Sequence, residues 1–453
     1  METSITKQQL FSKEDLKKLI IPLLFEQALA ITVGMADTVM ISSAGEAAVS
    51  GVSLIDMFNN LIISVLAALA TGGAVVTSQF LGAGKKEDAC KSAKQLIVSS
   101  VCITIGISIL VMVFCNGIIS LFFGKIEADV FHNAVIYMMI SALSFPFLAL
   151  YNSCAALFRS MGNSKITLKV SVVENIINIG GNALGVYVLG LGVAGVAIPS
   201  LISRAVAGFI LYRLLKNPSN EVHLLKESFH IDWPVIHKIF YIGIPSGIEN
   251  GIFQLGRVIV VSIIAGFGTV QIAANGVANS LDSMGCIVGQ AMNLAMITVI
   301  GRCVGAGDSG QVRYYTKKLL KITYLCTFMV NSVILLCLPW ILKCYGLSTE
   351  TTQLSYILVM IHNGMAMFLW PASFVLPNML RACNDVRFTM VLSIFSMFMF
   401  RIGFSYIIGV NMGYGAIGVW IAMVLDWIFR VICFVSRYLS GHWLKTAELK
   451  DNR

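Results

Sequence analysis

The chain has 453 residues, of which 57% are hydrophobic and only 12% charged, and its mean hydropathy is +0.82. A soluble domain carries about 45–50% apolar and about 25% charged residues, so this composition excludes an ordinary water-soluble globular protein. The net charge of +9 is spread among short polar segments rather than gathered in one patch, which argues against a nucleic-acid partner.

Between the polar segments lie windows of about 20 residues with one charge or none, long enough to cross a bilayer as helices. The fold expected is all-α and integral to the membrane, with twelve transmembrane helices. They are read at 16–42, 53–79, 95–117, 131–157, 165–190, 193–215, 237–265, 274–300, 318–341, 352–379, 387–410 and 415–438. The first eighteen residues, METSITKQQLFSKEDLKK, are polar and of mixed charge, and no small-residue cleavage pattern follows, so a removable signal peptide is not expected. Lys125 and Lys343 fall in loops on one side, whereas Arg204, Arg257, Arg401 and Arg430 fall within spans. The remaining 26 lysines and arginines share a side with both termini. By the positive-inside rule that side is the cytoplasm, which suits a multi-pass protein of a bacterial cytoplasmic (inner) membrane.

Carboxylates inside such spans are costly unless protonated, paired or ion-bound, and so mark candidate functional sites. They are Glu26, Asp37, Asp56, Glu174, Glu249, Asp282 and Asp426. Asp37 stands out, about twenty residues into the first helix within GMADTVMIS and with no basic residue near it in sequence. The plainer alternative is a structural hydrogen bond to the fifth or sixth helix. The fifth helix carries ENIINIGGNALGVY from Glu174, in which Glu174, Asn178 and Asn182 are four apart and form one polar stripe. Its glycines Gly180, Gly181 and Gly185 predict close helix approach. Glu174 sits toward the cytoplasmic third, where a snorkelling or cytoplasm-facing role is expected.

Eleven cysteines are scattered through apolar segments without ligand-like spacing and read as small buried residues. His223, His230 and His237 are seven apart, but the charged linker around them reads as a solvated segment rather than a metal site. Met35 and Phe253 are candidates for an adaptable surface facing varied apolar ligands.

The chain is written twice. QFLGAGKKEDACKSAK from Gln79 answers GRCVGAGDSGQVRYYTKK from Gly301, with the Gly-Ala-Gly cores 223 positions apart. LFRSMGNSK from Leu157 answers LRACNDVR from Leu380, and GVAGVA from Gly192 answers GAIGVW from Gly415, at essentially the same offset. The result is two pseudo-symmetric six-helix bundles, 1–215 and 237–453, joined by a cytoplasmic linker at 216–236. Because both begin and end inside, the repeats are parallel, an arrangement suited to alternating access around a central cleft. The Walker pattern is absent from the Gly-Ala-Gly turns, which excludes a P-loop ATPase. No HExxH or GxSxG occurs either, so an enzyme is not expected, and the repeat favours rocking halves over a fixed channel.

In order and spacing these pieces resemble the multidrug and toxic compound extrusion (MATE) transporters over essentially the whole chain. They are PLLFEQALAITVGMADTVMIS from Pro22, the Gly-Ala-Gly turns, LFRSMGNSK, LRACNDVR, GVAGVAIPSLISR and GIPSGIENGIFQLGR. The resemblance implies a secondary exporter of amphipathic, often cationic small molecules, with no cofactor and a proton or sodium gradient as its drive. In the DinF-like type, which the chain resembles more than the NorM type, the Asp37 position belongs to a first-lobe network. The matching residues here are Asn178, Asn182 and Ser200, with Asn152 at another polar position of the pocket; Asn182 stands where the pattern expects an acid. This implies one carboxylate in an otherwise neutral pocket, and Asp37 as the place of a sodium ion if sodium is the coupling ion. The NorM-type acid on the tenth helix is replaced by Trp370. A second charged cluster of Glu249, Gln254, Arg257, Asp282 and Arg401, with Asp426 as a further member, is expected in the second lobe. It serves either function or simply the pairing of buried arginines. The expected partners are small-molecule substrates and membrane lipids, with the protein acting as a monomer. A flippase for a lipid-linked precursor, as in relatives of the same superfamily, is the alternative.

Overall fold

Backbone amides placed in hydrocarbon must be satisfied by the protein itself, in helices or a closed barrel, and long continuous apolar runs of about 20 residues select the helix. The computed structural model describes residues 9–124, 126–225 and 230–449, and among these it contains helices and no strand. Lys125 and the side chain of Met35 lie outside the described residues.

Twelve rods follow in order. They are α1 (Lys13–Ser42), α2 (Glu46–Gly82), α3 (Lys86–Val113, continued past a break by Cys115–Phe123), α4 (Ala128–Ser160), α5 (Ser164–Ala183, extended as a π-helix by Leu184–Val188) and α6 (Ala194–Leu215). The second set is α7 (Trp233–Ala265), α8 (Thr269–Gly285 and Ile287–Gly305, kinked at Cys286) and α9 (Ser309–Cys344). It ends with α10 (Thr349–Trp370, through the π-helical Pro371–Val375 to Leu376–Ala382), α11 (Val386–Ser396, then π-helical Met397–Gly403 and Ser405–Asn411) and α12 (Gly415–Leu439). Among the described residues, eleven helices are long and apolar enough to cross a membrane by length and composition alone. The exception is α5, whose polar stripe lowers its mean hydropathy. Several rods outrun the apolar windows, because polar residues of good helix propensity such as KEDACKSAK continue the helix beyond the hydrocarbon.

Close packing within each lobe rests on a pair of glycines. A Cβ added at Gly185 would overlap Gly195 on α6, and one added at Gly418 on α12 would overlap Gly409 on α11, the same crossing repeated. Gly181 lies against Pro199, whereas Gly180 faces open space, so two of the three glycines expected at a helix contact are there.

The lobes meet through α2, α7 and α8. A Cβ at Gly82 would overlap the Arg302 carbonyl and one at Gly305 the Gln79 carbonyl, so the two Gly-Ala-Gly turns lock reciprocally. Gly72 lies equally close to the backbone of Ile239 and Gly243. The hydrogen bonds repeat the symmetry. Gln79 Nε2 donates to the Ala382 carbonyl at 3.0 Å, and Arg302 Nε donates to the Ser160 carbonyl at 2.9 Å. All these contacts lie on the side of the termini. Toward the other face α2 packs on α4 of its own lobe, with Gly51 against Ala134 and Asn59 Nδ2 donating to Ser141 Oγ at 3.1 Å. The two lobes are locked together at the end that carries both termini.

Helix α1 departs from the sequence division. Its first turns, with Leu16, Leu19, Ile20 and Leu23, pack into the core of the second lobe, and Phe11 exchanges hydrogen bonds with the Tyr315 hydroxyl at 2.9 and 2.7 Å. Pro22 then interrupts the backbone ladder where the helix passes to the first lobe. The six-helix repeat is a property of sequence, but the cytoplasmic end of α1 is shared between lobes.

Because backbone meets backbone at Gly82, Gly82→Leu will cost more than the about 1–3 kcal/mol of ordinary overpacking and prevent cytoplasmic closure. Ser78 is fully buried beside Gly301 at this contact. In a background free of other cysteines, Ser78→Cys is expected to resist water-soluble maleimide in inverted vesicles and to react once Gly82→Leu is added. Equal protection in both would contradict the reciprocal lock.

Candidate substrate and ion-binding cavity

Two lobes touching at one end enclose a cavity of about 1100 Å³, lined by residues of both. Its floor is braced by one ion pair used twice. Glu26 on α1 pairs with Arg159 on α4 and accepts from Thr167 Oγ1 at 2.9 Å; 223 positions later Glu249 on α7 pairs with Arg381 on α10 at 2.7 Å. Both carboxylates are buried and each arginine is largely withdrawn from solvent, so each partner offsets the desolvation of the other.

On the first-lobe wall the stripe of α5 meets α1 and α6. Asn182 Nδ2 donates to Asp37 Oδ1 at 2.7 Å and to Asn178 Oδ1 at 3.2 Å, and Asn178 Nδ2 donates to Ser200 Oγ at 2.9 Å. Ser200 in turn donates to the Val196 carbonyl at 3.0 Å, so the chain of polar groups ends on α6. Asn182 Oδ1 is buried and has no hydrogen-bond partner among the described residues. Asn152 lines the same wall without joining the chain, and its Nδ2 is likewise buried and unpartnered among the described residues.

The pocket is more highly charged than a single carboxylate among neutral amides. Asp56 on α2 accepts from the Tyr137 hydroxyl at 2.9 Å, Glu174 also lines the cavity, and Arg204 on α6 is anchored by donating to Ser144 Oγ at 2.7 Å. Glu174 therefore faces the cavity rather than the cytoplasm, because its stripe is continuous with Asn178 on one helix face.

Glu249, Gln254, Arg257, Asp282 and Arg401 all line the same cavity, and their direct contacts go to several different partners. Glu249 is committed to Arg381, since Arg257 lies two turns further along α7. Gln254 Nε2 donates across the lobe boundary to Ser64 Oγ at 3.1 Å. Arg401 reaches Asp426 at 3.7 Å, while Arg430 holds the same carboxylate at 3.0 Å. Asp282 binds His362 Nε2 at 2.7 Å and accepts from Cys286 Sγ at 3.1 Å. Asp282, Cys286 and His362 could hold a metal ion by their mutual spacing, a grouping hidden from the sequence because His362 comes from α10. Trp370, at the place of the NorM-type acid, is buried, stacks on Phe374 at 4.9 Å and leaves room for itself at Gly289. Phe253 lies on the cavity wall under the guanidinium of Arg401 at 5.4 Å.

A duplicated helical membrane protein with a polar cavity between its halves, locked at one face, has the construction of an alternating-access transporter. The MatE family model matches residues 22–184 and again 245–407, the repeat offset seen in the sequence, and the chain belongs to that family. An uncharacterized transporter of Bacillus subtilis, YisQ, is 28% identical over 97% of this chain and 99% of its own. A probable multidrug resistance protein NorM of Thermotoga maritima is 24% identical over 97% and 95%. Among solved structures, a MOP-superfamily transporter from Pyrococcus furiosus superposes with a TM-score of 0.87 at 20% identity over 97% of both chains. An outward-facing multidrug resistance MATE family transporter gives 0.87 at 20% over 96% of both. These likenesses establish the shared twelve-helix fold in two repeats.

Removing one partner of a buried pair leaves an uncompensated charge and costs about 3–5 kcal/mol. Arg381→Ala is therefore expected to lower the thermal unfolding temperature in detergent markedly, and the double variant with Glu249→Leu to recover much of it. A double variant no better than the sum of the singles would contradict the pairing.

Proposed function

We propose that the protein is a secondary exporter of amphipathic small molecules, driven by the inward passage of a proton or sodium ion that binds at Asp37. The observation that carries this reading is the chain from Asp37 through Asn182 and Asn178 to Ser200, which holds one carboxylate beside an unpartnered buried amide oxygen. The carboxylate takes a proton. Together with Asn182 Oδ1 it also suits a hard cation, for which oxygen ligands are the fitting donors. Asn182 in place of an acid leaves Asp37 as the carboxylate of that chain, so one bound monovalent cation neutralises it.

In the cycle, substrate enters from the cytoplasm or inner leaflet while Asp37 is charged. In the outward-facing state a cation arriving from outside neutralises Asp37. The outer part of α1 then shifts about its Pro22 end, and substrate is displaced outward. The driving force is the difference in the ion's affinity for the two states, since equal affinity would shift nothing. The shift reaches the other lobe because the first turns of α1 are packed into that lobe's core. The cavity, ion pocket and lock all come from one chain, which supports a monomer as the working unit in a bacterial cytoplasmic membrane. The carboxylates of the first-lobe wall, Asp56 and Glu174, provide counter-charges for a cationic group on the substrate.

Proteoliposomes under separately imposed pH and sodium gradients test the reading. Asp37→Asn should lose gradient-driven transport of a fluorescent cationic amphiphile while still binding it in detergent. Transport by Asp37→Asn equal to that of the parent protein would overturn the mechanism, and the gradient that drives the parent identifies the ion.

A further inference from the structure

The two walls of the cavity carry opposite charge excesses. Glu26, Asp37, Asp56 and Glu174 face two arginines on the first-lobe side, whereas four arginines stand against Glu249, Asp282 and the deeper Asp426 on the other. The inversion occurs at equivalent places. Helices α1 and α5 are repeated as α7 and α11, and at the offset of 223 positions Asn178 is answered by Arg401 and Asn182 by Ser405. Gly34, one turn before Asp37, is answered by Arg257. Where the first lobe sets a carboxylate against two amides, the second sets one guanidinium near another.

These guanidiniums are under-compensated. Arg257 lines the cavity and has no hydrogen bond or ion pair among the described residues. The nearby carboxylate whose charge it feels, Asp282, is already engaged by His362 and Cys286. Arg401 repels Arg257, and its Nε is buried without a partner among the described residues. Its ion-pair partner, Asp426, is fully buried and shared with Arg430 and Ser396. Two like charges facing one cavity are stabilised by an anion between them, and the guanidinium fork matches the oxygens of carboxylate, sulfonate and phosphate. The aromatic faces of Phe253, Phe374 and Trp427 line the same part of the cavity and offer a surface for an apolar body.

We propose that the second-lobe side of the cavity is an anion subsite in which Arg257 and Arg401 hold a carboxylate, sulfonate or phosphate group of an amphiphile. Its status as a substrate subsite rests on the export reading; anion binding itself does not. With the first-lobe carboxylates opposite, the cavity takes zwitterionic and anionic amphiphiles as well as cationic ones.

The test is isothermal titration calorimetry on the detergent-purified full chain with 2-naphthalenesulfonate and with (2-naphthyl)trimethylammonium, which share an aromatic body and differ in charge. Arg257 is exposed to the cavity, so Arg257→Gln should keep the parent's thermal unfolding temperature. It is expected to weaken sulfonate binding about tenfold to a hundredfold, the loss of one charge-assisted hydrogen bond, and to leave the ammonium unchanged. Sulfonate binding unaffected by Arg257→Gln, or an equal loss for both probes, would overturn the subsite. Competition by added phosphatidylglycerol but not phosphatidylcholine would make a lipid headgroup its occupant, and no competition a soluble anion. Since binding is read without a gradient, failure of the subsite is distinguishable from failure of ion-coupled export.

Discussion

The fold turns on one contact: two glycine turns pressed backbone to backbone where α2 crosses α8 at the cytoplasmic face. Gly82 sits on the carbonyl of Arg302 and Gly305 on that of Gln79, so no side chain intervenes. Gln79 and Arg302 then each reach across to the end of a helix in the opposite lobe. Backbone contact of this kind is either made or broken, with little between, because packed surfaces do not deform continuously. That property gives the cavity a definite closed end, and the lobes splay from it toward the other face.

Duplication explains the economy of the site, and divergence explains its chemistry. The buried glutamate–arginine brace occurs in both halves at corresponding positions, as does the glycine crossing of α5 with α6 and of α11 with α12. The helices that carry the Asp37 chain have changed character in the second copy. Arg401 and Ser405 stand in place of the two asparagines, and α11 winds as a π-helix through both. A wide turn of this kind often marks a functional site, since it leaves backbone groups imperfectly paired. Helix α1 joins the two lobes, with Asp37 of its outer part hydrogen-bonded into the first-lobe chain and its first turns in the opposite core.

Much of this was legible in the sequence, for identifiable reasons. The twelve spans follow from the bilayer's demand for about 20 apolar residues, and the repeat from three motifs at one offset. The Asp37–Asn182–Asn178–Ser200 chain is the set that the family resemblance assembled on α1, α5 and α6. The second lobe was harder, because a helical sequence shows which residues share a face but not which face of another helix they meet. Glu249 was grouped with Arg257 on its own helix, yet its partner Arg381 comes from α10. His362 had no periodic signal at all; it enters the site because the Thr269–Gly285 segment of α8 packs along α10 and sets Asp282 against it. Glu174 reads from its sequence position as cytoplasm-facing, and nothing in the sequence ties Asp56 to it; their weight appears only when the cavity gathers them with Arg204. The shared packing of α1 was also hidden, since apolar residues facing either lobe read alike.

In the proposed cycle, cation binding at Asp37 is transmitted through α1 to the cytoplasmic lock. Spin labels placed at the exposed first turns of α3 and α9, at Lys86 and Tyr314, report the lobe separation at that face by double electron–electron resonance. In the parent protein the distribution should shift between a short and a long distance as the coupling ion is added or withdrawn. In Asp37→Asn it should stay fixed whatever the ion concentration. An Asp37→Asn protein that follows the ion as the parent does would contradict the claim.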